Sequence, residues 1–471
     1  MRPTSVYRCM PGGRAALCAG FLFATLLSAQ SQFQGSVATG TASPTPLELK
    51  LDDAIHRGLQ TNLGLLVRDT NSMAVRAERK RALAALLPQV TGSLAETEQQ
   101  LSRSTIGFNF KFPAIPGFSG IPTVFGPFHY TAAQANVSAK VFDWNAWKTL
   151  SSARASEEAA RLSVQDARDL VVQAVASGYL QIIADASRVL SIQAQVNTAD
   201  AIYNRAVDQK KAGTSPGIDV LRAQVELKME QQRMLAQQNL LEKDKLALAR
   251  VIGLPAGQVF EIADAVPFAP LAGLTQEDAL RMALAQRPDY QSARMLVEGA
   301  QESLKAARAE WYPTVNVDGY YGDAGQSLNN SHGVFLVTGA LNFNIFNGGR
   351  IRSDIERASA ALKQRSDEMA DLAGQIDYQV RAAFLDVRTA ADQVAVAQSN
   401  LELADQTLAQ SRDRFAAGVT DTVEVVQSQE SVAAANDNII SALFAHNLAK
   451  VELARAMGLA EQGIKKYIEV K

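Results

Sequence analysis

From Arg352 to Phe415 the chain contains no proline and one glycine, Gly374, while large apolar side chains return every seven residues. One series is Ile355, Leu362, Met369 and Ile376, and a second is Val387, Val394, Leu401, Leu408 and Phe415. Side chains repeating at seven stay on one stripe of a helix and mark a coiled-coil seam. The step of eleven from Ile376 to Val387 reads as a local unwinding within one continuous helix. At 1.5 Å per residue that helix is roughly 95 Å long, several times what a compact domain uses. Length alone excludes an ordinary globule.

The chain says most things twice. Asp53, Ala54, Leu59 and Pro88 are matched 225 positions later by Asp278, Ala279, Leu284 and Pro313. Further on the offset is 205: Ala212-Gly213 against Ala417-Gly418, Ile218-Asp219-Val220 against Val423-Glu424-Val425, and LARVIGL from Leu248 against LARAMGL from Leu453. The seam is duplicated as well, with Val175, Ile182, Val189, Val196 and Tyr203 opposite Val380, Val387, Val394, Leu401 and Leu408. A second long helix therefore spans about Trp144 to Lys211, and the chain divides into repeats at 51–260 and 261–471. Each repeat opens with a helical pattern, from Leu51 in the first, that ends at its proline, which lacks an amide hydrogen and forces its predecessor towards extended geometry.

Between each proline and the long helix the period falls from 3.6 to 2. From Tyr130 to Phe142, Ala133, Ala135, Val137, Ala139 and Val141 alternate with Gln134, Asn136, Ser138 and Lys140. In the second repeat Phe335, Val337, Gly339, Leu341, Phe343 and Ile345 alternate with Leu336, Thr338, Ala340, Asn342 and Asn344. Weaker partners, Val90 to Gln99 and Val315 to Gly322, complete two strand pairs, at 88–142 and 313–346. Their length, about 9 to 11 residues, suits tilted strands crossing an outer membrane, with Val137, Val141, Phe335, Val337, Leu341, Phe343 and Ile345 towards lipid. The first hairpin tip, Ile106 to Phe128, is long and rich in Phe, Pro and Gly, whereas the second, GQSLNNSHG, is short.

The beginning of the chain reads as a processing signal. Arg2, Arg8 and Arg14 precede an apolar run that ends at Leu27-Ser28-Ala29, so residues 1–29 are expected to be removed, and both cysteines, Cys9 and Cys18, with them. Leu17 stands where a lipid-attached cysteine requires a small residue, which disfavours Cys18 as a lipid anchor. Residues 30–50, rich in Ser, Thr, Gly and Pro, read as a flexible leader. No later stretch has eighteen uninterrupted apolar residues.

A net charge of −2 and pI near 6.2 give no basic face for nucleic acid. The four histidines, His56, His129, His332 and His446, lack metal-ligand spacing. No phosphate-cradling loop, nucleophile elbow or HExxH helix occurs, so neither a cofactor nor an enzymatic reaction is expected.

Each long helix ends in a tight break, Ala212 to Gly217 and Ala416 to Asp421. Glycine there supplies the left-handed cap, Thr420 or Asp421 can cap the next helix, and the short connection forces an antiparallel return. Two repeats of helix, proline stop, greasy strand pair, very long helix, glycine tip and returning helix resemble the TolC-type outer membrane efflux proteins, over about Leu51 to Leu459. The most specific piece is Arg414-Phe415-Ala416-Ala417-Gly418 followed by Val423-Glu424-Val425-Val426-Gln427-Ser428-Gln429; the first tip is a weaker copy.

Four strands cannot close a barrel around a lumen, and an open edge in lipid is prohibitive, so strands must be pooled between chains, two giving eight or three giving twelve. The resemblance implies three: a homotrimer with a shared barrel above a periplasmic tunnel of helices. It also implies tips that dock on a periplasmic adaptor bound to an inner-membrane pump, here through Lys210, Gly213, Arg414, Phe415 and Gly418. It further implies a ring of acids at the narrowest point, carried over to Asp219 and Glu424, which also stabilise their helices as first-turn acids. No arginine lies between Ala212 and Leu221 or between Ala416 and Gln427, so an ion-pair latch there is replaced by hydrogen bonds from Thr420 or Asp421.

The competing reading is an exported coiled-coil adaptor or scaffold that conducts nothing. A channel will leave membranes only with detergent, as an oligomer whose electrophoretic migration changes on heating. Full solubility without detergent would support the scaffold instead.

Overall fold

In the computed structural model, residues 33–467 are described except 106, 108–121, 265–266, 272, 328, 418 and 421. The expected signal segment with both cysteines, most of the first hairpin tip, and the site positions Gly418 and Asp421 lie outside the described residues.

The first repeat supplies β1 (Leu47–Leu49), α1 (Leu51–Thr61), α2 (Leu63–Ala84), β2 (Gln89–Ser102), β3 (Val124–Phe142), α3 (Trp144–Lys211) and α4 (Gly217–Val251). After β4 (Phe260–Ile262), the second supplies α5 (Gln276–Gln286), α6 (Pro288–Ala309), β5 (Thr314–Ser327), β6 (Asn330–Asn342), α7 (Arg350–Ala416) and α8 (Thr422–Ala456), then α9 (Ala460–Tyr467). The opening helical pattern is two helices in each repeat, not one. It breaks at Asn62 and Arg287, whose backbones are extended at ψ 124° and 121°. Asn62 turns its side chain to the Phe33 carbonyl (2.6 Å) and accepts from the Gly64 amide (3.0 Å), a local bonding pattern that competes with the helix.

Two compact units form, and neither is a repeat. One comprises residues up to Ser72, Ala160–Ser292 and from Met369 onward; the other comprises Met73–Ala159 and Ala293–Glu368. Each draws on both repeats.

The helical unit has two large cores and a smaller cluster of Val394, Ala397 and Ala442. Leu51, Ala54, Val171, Val175, Tyr179, Ile182, Leu248 and Ile252 form one, and Ala279, Ala283, Ile376, Val380, Val387, Leu453 and Met457 form its duplicate. The Tyr179 hydroxyl donates within 3.0 Å of the Leu49 carbonyl and 2.9 Å of Asp264 Oδ2, and Asp264 in turn accepts from the Leu51 amide at the start of α1. Residues 33–50 make contacts with the helical core. Phe33 and Leu49 are buried, the Val37 amide donates to Thr61 and that of Thr39 to Gly253, and β1 pairs in parallel with β4. The core supplies the partners that this segment could not supply for itself.

The buried side of α7 also corrects the seam. Ile376, Val380, Ala383, Val387, Ala390, Val394 and Ala397 are all buried, at spacings of four and three in strict alternation. The step of eleven is therefore a change of row within an unbroken heptad, hidden in the sequence because small alanines occupy much of one row.

The other unit is built on a four-stranded antiparallel sheet in the order β2-β3-β5-β6. Register places Val90, Val137, Gly319 and Val337 in one row across all four strands, so the greasy faces of both repeats coincide. The strands run further towards their tips than their alternation suggests. Val124 pairs with Ser102, and Ser327 with Asn330, so part of both expected loops is ladder. At the other end β6 stops at Asn342, opposite Thr314. Phe343 and Ile345 therefore lie beyond the strand, because the neighbouring strand begins just after Pro313, which has no amide to continue the ladder. Asp143 caps α3 by accepting from the Ala146 amide (3.0 Å), fixing the passage from strand to helix.

Ile376 has no solvent exposure. Replacing it with alanine should cost about 2–5 kcal/mol, read as a lower midpoint for thermal loss of helical circular dichroism.

Candidate functional site

The two tips lie in the helical unit and are built alike. At the end of α3 the Gly213 amide donates to Lys210 O (3.0 Å) and that of Thr214 to Gln209 O (2.9 Å), a closure that needs the left-handed φ of +77° at Gly213. At the end of α7 the Val419 amide donates to Arg414 O at 3.0 Å, the same six-residue ring. The returning helices then start so that Asp219 and Glu424 each occupy the third helical position. There a carboxylate meets free amides and the positive end of the helix dipole.

Each acid is held by a hydroxyl four residues earlier. Ser215 Oγ donates to Asp219 Oδ2 at 2.7 Å, and Thr420 Oγ1 donates to Glu424 Oε2. Thr420 thus bonds to the candidate acid within its own hairpin. Ser215, its counterpart at the 205 offset, escaped the sequence reading although the duplication points to it. Glu424 also receives Ser411 Oγ at 3.5 Å, and Ser411 and Ser428, both buried, are 2.8 Å apart. Arginines are nearby after all, just outside the stretches that lack them: Arg222 lies 3.6 Å from Asp219, and Arg414 lies 3.6 Å from Glu424. These exposed pairs are weak individually, but they orient the acids.

Of the tip residues, Lys210 and Arg414 lie in the last turns of their helices, and Phe415 is half-buried with the Arg205 guanidinium 5.4 Å from its ring centre, which ties α7 to α3. The sequence reading also missed an apolar strip beside the acids. Ile218, Leu221 and Val225 are 50, 58 and 59% exposed, and with Val423 and Val426 they line a hollow of about 490 Å³. Its signal was an i, i+3, i+7 row with no partner assigned to it.

On the sheet, Val137, Val141, Phe335, Val337 and Leu341 stand exposed on one face, joined by Val90, Leu94 and Tyr321. The opposite face carries Thr91, Ser93, Gln134, Asn136, Asp318 and Thr338. Phe343 and Ile345, 62 and 83% exposed, continue the apolar surface past the strand end. All three tryptophans of the chain, Trp144, Trp147 and Trp311, lie at strand–helix junctions and are exposed, with Tyr312 beside them. Among the described residues no cluster of His, Cys, Asp and Glu has the geometry to hold a metal ion.

Residues 54–254 and 279–459 match the sequence profile described as outer membrane efflux protein. The chain is 24% identical over 406 residues to the pyoverdine export outer membrane protein OpmQ of Pseudomonas putida, covering 82% of this chain and 81% of that one. It is 25% identical over 425 residues to the probable efflux pump outer membrane protein TtgC of the same species, covering 87% and 82%. Among solved structures, the outer membrane protein VceC of Vibrio cholerae superposes with a TM-score of 0.73 at 17% identity, over 87% of this chain and 96% of that one.

A side chain at Gly213 would meet nothing within 4 Å, so the cost of replacing it lies in the backbone alone. Gly213→Ala should destabilise the tip by about 1 kcal/mol and Gly213→Asn by less, seen as faster amide exchange at Gln209 to Thr214.

Proposed function

Because the chain belongs to the outer membrane efflux protein family, we propose that three copies pool their strands into one twelve-stranded barrel and work as the exit duct of a tripartite efflux or type I secretion system. The protein is an outer membrane efflux channel whose helical part extends into the periplasm.

The observation that carries the proposal is the four-stranded sheet with one exposed apolar face, whose outer strands β2 and β6 pair on one side only among the described residues. In hydrocarbon each unsatisfied backbone group costs several kcal/mol, so β6 of one chain pairs with β2 of the next until the ring closes. The strands of one chain alternate in direction, so this pairing continues the antiparallel pattern, and three copies of four strands make twelve. The apolar face, with Val137, Val141, Phe335, Val337 and Leu341, turns to lipid, and the face with Thr91, Gln134, Asn136 and Thr338 turns to the water-filled lumen. Trp144, Trp147, Trp311 and Tyr312 sit at the periplasmic headgroup level, where amphipathic rings are favoured, with Phe343 and Ile345 at that boundary.

At the tips Asp219 and Glu424, repeated by threefold symmetry, form the carboxylate ring of the periplasmic gate, held by Ser215 and Thr420. Close rings of carboxylates attract cations and repel one another, which suits a filter that can also open. Lys210, Gly213, Arg414, Phe415 and Gly418 face the periplasmic adaptor, through which an inner-membrane pump delivers substrate to the duct. The apolar strip of Ile218, Leu221 and Val225 enlarges that docking surface.

Replacing Asp219 and Glu424 together with alanine should raise single-channel conductance in planar bilayers and weaken block by divalent cations. Unchanged conductance and block in the double variant would remove both acids from the gate.

A further inference from the structure

Two to three turns along α4 from Asp219, side chains of α3, α4, α7 and α8 border a cleft of about 300 Å³, space for about ten waters. Glu226 and Glu230 of α4 stand in its wall one turn apart, and therefore on one face of their helix, and Asp405 of α7 joins them. Arg412 is the one cationic side chain among the lining residues, so the cleft is net negative. Glu230 is only 4% exposed. Its Oε1 accepts from Arg233 Nη1 at 2.8 Å, whereas its Oε2 is buried without a hydrogen-bond partner, and so is Oε1 of Gln429 on α8. Leaving a buried acceptor unbonded is costly, most of all on a carboxylate. Two such acceptors in the wall of one cleft mark a place for a donor that the chain does not supply.

The neighbouring polar groups narrow the chemistry of that donor. Thr198 Oγ1 donates to the Ala194 carbonyl at 3.0 Å, Asn436 Nδ2 to the Val432 carbonyl at 3.0 Å, and Gln195 Nε2 to Ser191 Oγ at 3.3 Å. Each commits a hydrogen to its own helix one turn back, so oxygen acceptors predominate among the groups left for the cleft. Ala199, Leu408 and Val432 supply apolar wall between them. The described carboxylates are not grouped to hold a metal ion. A primary ammonium suits the lining better, because it brings three N–H donors and a full positive charge, and an alkyl chain attached to it has apolar surface to lie on.

We infer that this cleft is a binding site for a small primary amine, whose ammonium donates to Glu230 Oε2 and Gln429 Oε1 and whose alkyl chain lies against Leu408 and Val432. Glu226 adds a second carboxylate on the Glu230 side. Glu230 belongs to the first returning helix and Gln429 to the second, so one bound ammonium joins α4 to α8 and satisfies an acceptor on each. The site is distinct from the tip acids Asp219 and Glu424, and it stands whether or not the chain conducts.

Isothermal titration calorimetry of the full-length protein in detergent, near neutral pH and at constant ionic strength, tests the site with butylammonium chloride as the probe. Butylammonium should bind saturably. Tetramethylammonium, which has the charge but no N–H, and butanol, which has the chain but no charge, should each bind at least about tenfold more weakly. Glu230→Gln, which keeps an acceptor for Arg233, should weaken butylammonium about tenfold or more, and Gln429→Leu, which removes the amide oxygen at similar volume, should weaken it severalfold. Glu242→Gln, a change at an exposed acid on the same helix, should bind as the wild type does. Equal binding of tetramethylammonium and butylammonium would reduce the cleft to general charge attraction, and no saturable binding to the wild type would make it a gap filled by water; either result overturns the site. Should Glu230→Gln fail to fold, undiminished binding in Gln429→Leu would overturn it equally.

Discussion

Hydrocarbon offers a peptide group nothing to bond with. A sheet placed in lipid, as proposed for this one, must therefore find a partner for every amide and carbonyl along its edges, and among the described residues β2 and β6 each pair on one side only. The rest of the protein is arranged around that incompleteness. Both repeats spend their prolines, Pro88 and Pro313, immediately before β2 and β5, so each ladder has a defined first rung. Asp143 at the end of β3, and Gly348 and Gly349 at φ +64° and +90° before α7, turn the chain sharply from ladder to helix.

Much of this was legible in the residues because duplication lets weak signals be read twice. The long helices, the strand pairs, the glycine tips and the common face of Val137 and Val337 all follow from period and offset. What escaped was structure whose cause lies elsewhere in the chain. Residues 33–50 have the composition of a tail, yet the carbonyls of Thr61 and Gly253 and the edge of β4 hold them in place. The breaks at Asn62 and Arg287 interrupt apolar patterns that continue across them, and at Asn62 the bend is held through the distant Phe33 carbonyl. Within the candidate site, Asp219 and Glu424 were visible as a repeated acid. Their arginine neighbours, Arg222 and Arg414, sit one turn or one hairpin arm away, where reading the loop alone could not find them.

The heptad on α7 carries a related lesson. Tracking only large side chains suggested an irregular supercoil, whereas the buried set from Ile376 to Ala397 is regular, with Ala383, Ala390 and Ala397 forming one of its two rows. Alanine rows let helices approach closely, and closeness puts Ser411 within 2.8 Å of Ser428. Local propensity and tertiary packing agree along this helix, as expected of a sequence whose levels are mutually consistent.

The β3–β5 seam joins the two repeats by an antiparallel ladder within one chain. Its strands are tethered through a single polypeptide, so they meet at an effective concentration that no pair of separate molecules reaches in the membrane. A ring made from unfused repeats would need every such seam to form by collision, each with its own chance of slipping by a residue and turning an apolar row into the lumen. In the proposed ring, fusing the repeats makes half of those seams intramolecular, so assembly has fewer encounters to complete and fewer opportunities for a registration error.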